Sequence, residues 1–322
     1  MSAGDQVRDA VGAAIASSRG EIVEWHGPTA RDWSWHFRAR ARNAESALLI
    51  KVPRWEGIAT LEAALAAGPQ SATAAEYSAL EQIRGAVSAA NDSGLAAIVP
   101  VAYVPAVNAV VMEQLEATPL RTRLGVGRGP ADAVEWFAGI GRWLGVYHRL
   151  GAGEPAQFSA AAEKARWDSS GGEHPRLRRA LDHARTAAES LDGRKVVEGV
   201  QHGDLTLGNV LVTGDGKIAV IDPNQTSGRW EADAARLIAE TRLGRGQLFT
   251  HGVMRRPSVV DRWAYALAEG HGGLDAEVLA YDRGAAALER MIDLLESGPV
   301  SRLMAVAASG MFRREFTQHF AA

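Results

Sequence analysis

QHGDLTLGNVLVTGDGKIAVIDPN, Gln201–Asn224, sets Asp204, Asn209 and Asp222 around a short apolar ribbon. The runs NVLV and KIAVI, divided by Gly214-Asp215-Gly216, predict a β-hairpin with a tight turn. Folding the hairpin returns the chain, so Asn209 and Asp222 meet near its open end. Two hard oxygen donors there suit Mg²⁺, which takes one or two carboxylates and completes its shell with substrate phosphates and water. Asp204, on the loop before the ribbon, can face the same spot without binding metal and accept a proton from a hydroxyl. Asp, Asn and Gly also serve as plain turn formers, but three oxygen-bearing side chains bracketing one hairpin point to a metal and proton-transfer site.

Outward from that segment, the first third of the chain reads as strands. Glu21–Trp25 is short and β-rich, and WSWHFRARA alternates Trp33, Trp35 and Phe37 with polar positions, the period of a half-buried strand. Ala47–Pro53 is an apolar run, and Asn43-Ala44-Glu45 before it suits a hairpin connection. A helix is expected over TAAEYSALEQIRG, followed by strands in IVPVAYVPAV and NAVVMEQL. The period then changes. Trp136, Ile140, Trp143, Leu144 and Tyr147 share one face of an amphipathic helix over Trp136–Leu150. Residues 151–195 are polar around a helical LRRALDHARTAAESL, and everything beyond Glu231 reads as helices. The expected architecture is α+β, with a small β-rich lobe over 1–113 and a larger, mainly helical lobe over 114–322 that carries one short hairpin.

Composition narrows the function. The 322 residues are 47% hydrophobic and 23% charged, an ordinary globular balance. A formal net charge of -3 argues against a nucleic-acid binder that relies on phosphate neutralisation. With no cysteine, disulfides, thiolate nucleophiles and cysteine metal sites are ruled out. No apolar run approaches the roughly 20 residues that span a bilayer, and the N-terminus lacks the apolar core of a secretory signal. A soluble cytoplasmic protein without nucleic-acid or membrane partners is the expectation. Of 35 basic residues only Lys51, Lys164, Lys195 and Lys217 are lysine. Lys51 stands inside an apolar strand, where lysine either snorkels to solvent or offers a point charge to a phosphate oxygen. Glu76 on the following helix is a candidate partner for it.

HGDLTLGN followed by VIDP resembles the catalytic segment of the aminoglycoside phosphotransferase and choline kinase-like family, a branch of the protein-kinase-like fold. The order of strand lysine, helix glutamate, linker after a strand, amphipathic helix and motif is similar too, from about Glu21 to Glu240. The resemblance implies a two-lobed kinase that moves the γ-phosphoryl group of ATP (or GTP) to a hydroxyl of a small molecule. It implies Asp204 as catalytic base, Asn209 and Asp222 as Mg²⁺ ligands, and Lys51, oriented by Glu76, on the α/β-phosphates. MEQL would be the hinge, with backbone groups of Glu113 and Leu115 holding adenine and Met112 packing on its face. His202 would support the loop and Asp233 would buttress it. Phosphorylating an antibiotic is one role the resemblance implies.

The sequence departs from the family pattern in three places. The loop expected to cover the phosphates reads HGPTARDW with a single Gly27; WEGIATLEAALAAGPQS lengthens the Lys51–Glu76 gap; and Pro223-Asn224 follow Asp222 where many members have an aromatic. IDP is more similar to the branch that acts on streptomycin-like antibiotics. Two other functions stay open, a Ser/Thr protein kinase of the same fold and a nucleotide-binding scaffold. In ERMIDLLESG, Leu288, Ile292 and Leu295 form an apolar row beside the acidic row Glu289, Asp293 and Glu296. If that acidic row lines the acceptor site, it would favour a cationic acceptor such as an amino sugar.

Overall fold

The computed structural model describes every residue except 43–45, 128, 171–176, 245–246, 249–254 and 321–322. The hairpin connection expected at 43–45 lies outside the described residues. The chain divides into two compact units, Met1–Asp92 with Ala96–Ala117, and Ser93–Leu95 with Thr118–Ala322.

The first unit opens on helix α1 (Ala3–Arg19), which sequence periodicity had not flagged. Its start is fixed by a capping box: the Asp5 amide donates to Ser2 Oγ at 3.2 Å and the Ser2 amide donates back to the Asp5 carboxylate. Val7, Val11 and Ile15, one turn apart, are buried. A five-stranded antiparallel sheet follows in the order β1-β2-β3-β5-β4, built from β1 (Ile22–Ala30), β2 (Ser34–Ala41), β3 (Leu48–Pro53), β4 (Pro100–Val104) and β5 (Ala109–Glu113). Helices α2 (Leu61–Ala66) and α3 (Ser71–Ala90) fall between β3 and β4, so the insertion after Lys51 is helical.

Two expectations need correction here. Trp35, Phe37, Ala39 and Ala41 form the buried face of β2, but Trp33 lies before the strand and is 70% exposed. The alternating pattern therefore starts one step later than its aromatic residues suggested. The stretch HGPTARDW is also no covering loop: β1 runs through it to Ala30, leaving Arg31–Trp33 as the connection. Its pairing with β2 slips between His26 and Thr29. Gly27, at φ +99°, sits at that bulge, and a Cβ there would lie 2.7 Å from the His36 carbonyl oxygen.

In the second unit, β6 (Ala117–Pro119) leads into α4 (Leu120–Leu124) and α5 (Ala133–His148). All five residues read as the apolar face of α5 are buried. Two small sheets replace the single expected hairpin: β10-β9-β6, and β11-β8-β7. Their further strands are β7 (Glu154–Gln157), β8 (Lys195–Gln201), β9 (Val210–Thr213), β10 (Ile218–Val220) and β11 (Thr226–Arg229). β7 and β8 escaped sequence reading because EPAQ and KVVEGVQ are short and polar, with no sustained alternation.

Helices α6 (Ala160–Ser169), α7 (Arg178–Leu191), α8 (Trp230–Leu243), α9 (Pro257–His271), α10 (Ala276–Glu296), α11 (Pro299–Ala307) and α12 (Ser309–Phe320) complete the unit. Glycine permits the closest approach among them. A Cβ on Gly141 of α5 would stand 2.0 Å from the Leu267 carbonyl oxygen of α9. Leu288, Ile292 and Leu295 of α10 are buried in the core that α7 and α12 also line.

Candidate active site

In the first unit, the β2–β3–β5 register sets Lys51 opposite His36 and Val110. Its Nζ lies 2.7 Å from Glu76 Oε1, on the first half of α3. Both side chains are largely buried, where an ammonium needs a carboxylate partner to stay charged. The lengthened gap between the two is absorbed by α2, so it does not separate them. At the end of β5 the Glu113 amide donates to Val99 O at 2.9 Å and the Gln114 amide to Ala47 O at 2.7 Å. The amide of Glu113 is thus engaged by the fold itself. Its carboxylate is tied to Arg19 at 2.6 Å. Met112 is buried, and Leu115 stands partly exposed just past the strand.

In the second unit, β9 and β10 pair Val210 with Val220, and the Ile221 amide extends the ladder to Asn209 O at 2.9 Å. This places Asn209 and Asp222 at the same, open end of the hairpin. Asp222 takes a left-handed conformation, φ +57°, which short polar side chains tolerate better than most. Asn209 Nδ2 donates to the Asp204 carbonyl at 2.9 Å and to Asp204 Oδ2 at 3.2 Å. With its NH₂ turned toward Asp204, its Oδ1 points away.

A carboxamide oxygen and a carboxylate at one strand end form a hard donor pair that fits Mg²⁺ with phosphate oxygens completing the shell. Among the described residues no three His, Cys, Asp or Glu side chains gather as a metal cage.

Beneath the loop, Asp233 in the first turn of α8 is 3% exposed and accepts three hydrogen bonds. The donors are the His202 amide at 2.6 Å, the Gly203 amide at 3.0 Å and His148 Nε2 at 3.1 Å. Burial opposes the charge on Asp233, but the hydrogen bonds from His148 and from the His202 amide hold its carboxyl below the usual range. His202 accepts the Asp204 amide at Nδ1, 3.3 Å, and its Nε2–H donates to Ile221 O at 3.0 Å. That pattern fixes a neutral Nε2–H ring, in keeping with the downward push that burial gives its pKa.

His271 extends the network, its Nε2 lying 2.9 Å from His148 Nδ1. Burial, with His148 and Arg149 nearby, depresses its pKa to about 3, so it is neutral. The 205–207 end of the loop is clamped separately. The Leu207 amide donates to Glu240 Oε2 at 2.6 Å, the Arg121 amide donates to Leu207 O at 2.9 Å, and the Arg121 guanidinium pairs with Glu240 at 2.7 Å.

Sequence reasoning found Asp233 but missed His271 and Glu240; His148, which at a helix end reads as a packed or capping histidine more readily than as a ligand, is fully buried. Glu240 had a signal: it follows Asp233 by two helical turns, on the same face of α8.

Asp204 also borders a cavity of about 810 Å³ within this unit, of a size that accommodates a small molecule. Faces of α8 and α10 wall it, with Arg236 and Arg290 among the lining residues. Of the acidic row, Glu289 and Asp293 reach the cavity and Glu296 does not. Glu289 is paired with Arg166 at 2.5 Å, which it shares with Glu163.

Residues 66–238, more than half of the chain, match the model of the phosphotransferase enzyme family. No curated protein matches it. Among solved structures, it is similar to a choline/ethanolamine kinase family protein from Mesorhizobium loti, with TM-score 0.54 and 17% identity over 99% of this chain and 98% of that one. A choline kinase from Streptococcus pneumoniae gives 0.54 and 13% identity over 96% and 98%. A spectinomycin phosphotransferase, solved with ADP and spectinomycin, gives 0.52 and 14% identity over 97% of each chain. At these identities the likeness establishes the protein-kinase-like fold.

Proposed function

The chain belongs to the phosphotransferase enzyme family, and we propose that it transfers the γ-phosphoryl group of ATP or GTP to a hydroxyl of a small molecule. The observation that carries this is the contact of Asn209 Nδ2 with both the carbonyl and the carboxylate of Asp204, at the hairpin end that also bears Asp222. In this proposal Asp204 is the base. As the acceptor oxygen bonds to the γ-phosphorus and the β–γ bridging bond breaks, the hydroxyl proton passes to the Asp204 carboxylate and the nucleoside diphosphate leaves. Asn209 Oδ1 and Asp222 hold Mg²⁺, which supplies charge neutralisation on the nucleotide phosphates when bound. Lys51, oriented by Glu76, binds the α/β-phosphates. The Glu113 carbonyl and the Leu115 amide hold adenine, against which Met112 packs.

A buried His202–Asp233–His148 scaffold under Asp204 supports the assignment, because phosphoryl transfer gains mostly from positioning. The cavity beside Asp204 supports a small acceptor in preference to a protein chain. The test is incubation with ATP, Mg²⁺ and a panel of amino sugars, choline-like alcohols, sugars and sugar acids, read by mass. A nucleotide-dependent gain of one phosphate on a panel member is expected. Nucleotide hydrolysis without any phosphorylated alcohol would overturn the assignment.

A further inference from the structure

The cavity beside Asp204 has an unexpected charge balance. Arg121 and Glu240, which both line it, pair at 2.7 Å, and Glu289 shares Arg166 with Glu163. Arg236, Arg255 and Arg290 are left against Asp204 and Asp293. None of the three arginines has a carboxylate partner among the described residues. Arg236 spends one donor on the Gly203 carbonyl at 2.5 Å.

Arg255 is 2% exposed and donates only to carbonyls, Thr241 O at 2.9 Å and Gly125 O at 2.8 Å, with a weaker contact to Leu124 O. Its Nε has no partner. It lies over the Trp263 ring at 5.1 Å, a contact that stabilises a cation without neutralising it. Burial and the nearby Arg242 push its pKa down to about 10, still charged at neutral pH. A buried guanidinium without a counter-ion is costly, and a ligand anion in the adjoining cavity relieves that cost.

Resting on the phosphotransferase reading above, we infer that the acceptor carries an anionic group, a carboxylate or a phosphate, as well as the hydroxyl that is phosphorylated. The anion sits among Arg236, Arg255 and Arg290; the planar forks of Arg236 and Arg290 match either oxyanion, and Arg255, its terminal nitrogens already on carbonyls, adds its charge. Arg290 is the residue to change, because it is half-buried on α10 and has no hydrogen-bond or ion-pair partner among the described residues.

The test is direct binding without nucleotide, by calorimetry, to matched compounds that differ in one group. Glucose, glucosamine, gluconate and glucose 6-phosphate form one set; glycerol, glycerate and glycerol 3-phosphate form another. The acidic members of at least one set are expected to bind at least about tenfold tighter than their neutral and amino counterparts, the effect of one charge-assisted contact. The carboxylate and phosphate arms decide which anion it is.

Arg290→Gln is expected to remove that advantage while leaving the neutral compound and the melting temperature unchanged. A preference for the amine, equal affinities, or no millimolar binding by any member would each overturn the inference. So would a loss in Arg290→Gln that is shared by neutral and acidic compounds. Because no nucleotide is present, these outcomes are independent of whether phosphoryl transfer occurs.

Discussion

Replacing Asp233 with alanine tests how the loop that carries Asp204 is held. The substitution removes one carboxylate and orphans three donors at once: the His202 amide, the Gly203 amide and His148 Nε2. Leaving a buried donor unsatisfied costs about 1–3 kcal/mol, and more when the lost acceptor was charged. Three such donors give about 3 kcal/mol at the least, a large share of the roughly 5–15 kcal/mol that stabilises a typical domain. Chemical denaturation followed by circular dichroism measures the loss directly. Asp233→Asn keeps one acceptor but turns an NH₂ toward an amide donor, so it should fall between alanine and wild type.

Where the protein still folds, turnover should fall further than acceptor KM rises, because the loop no longer fixes Asp204. A loss below about 1 kcal/mol for Asp233→Ala would mean that the loop stands without this carboxylate, and the scaffold argument would fail.

Other outcomes follow from the same structure. Asp204→Asn should lower kcat by about 10²–10⁴ while nucleotide affinity, measured by calorimetry, stays near wild type; near-wild-type turnover would remove Asp204 as base. Lys51→Ala should weaken nucleotide binding, and Glu76→Gln should do the same to a smaller degree, since Glu76 acts through the lysine; equilibrium binding of ADP separates the two. His271 has a folded pKa near 3 against 6.5 for the free side chain, so the unfolded chain binds the proton first. Its contribution is full above pH 6.5 and is lost as pH falls, by about 2 kcal/mol between pH 6.5 and 5. Urea midpoints at the two pH values should show this in wild type and much less in His271→Phe. Asp233, held low, loses its contribution only at more acid pH, below the ordinary carboxylate range, so the two windows are distinguishable.

Much of the fold was legible because its elements carry strong periodicity. The α5 face from Trp136 to Tyr147, the β2 alternation after Trp33 and the Gly-Asp-Gly turn at 214–216 each follow from a local rule. What escaped was of two kinds. Strands β7 and β8 are short and polar, held by pairing with each other rather than by an apolar face, so no pattern announces them. Helix α1 did leave a signal, Ser2 and Asp5 ahead of Val7, Val11 and Ile15, hidden in an Ala- and Gly-rich stretch of low hydrophobicity.

At the site, the three oxygen-bearing residues could be read because a hairpin brings its ends together whatever surrounds it. The His148–His271 pair could not, because it joins helices that are distant in sequence. The surroundings of the acidic row on α10 were hidden for a related reason: helical spacing gives the face, but Arg166, which pairs with Glu289 and Glu163, comes from another helix.

The account turns on a divalent cation and a base sharing the open end of one hairpin. The measurement that tests this most directly is Mg²⁺-dependence of ADP binding, by calorimetry, in wild type, Asp222→Ala and Asp204→Asn, with kcat taken on the same preparations. The account predicts that Asp222→Ala loses the Mg²⁺-dependent part of the affinity, whereas Asp204→Asn keeps it and loses turnover. Mg²⁺-dependent binding that survives in Asp222→Ala, or disappears in Asp204→Asn, would contradict it.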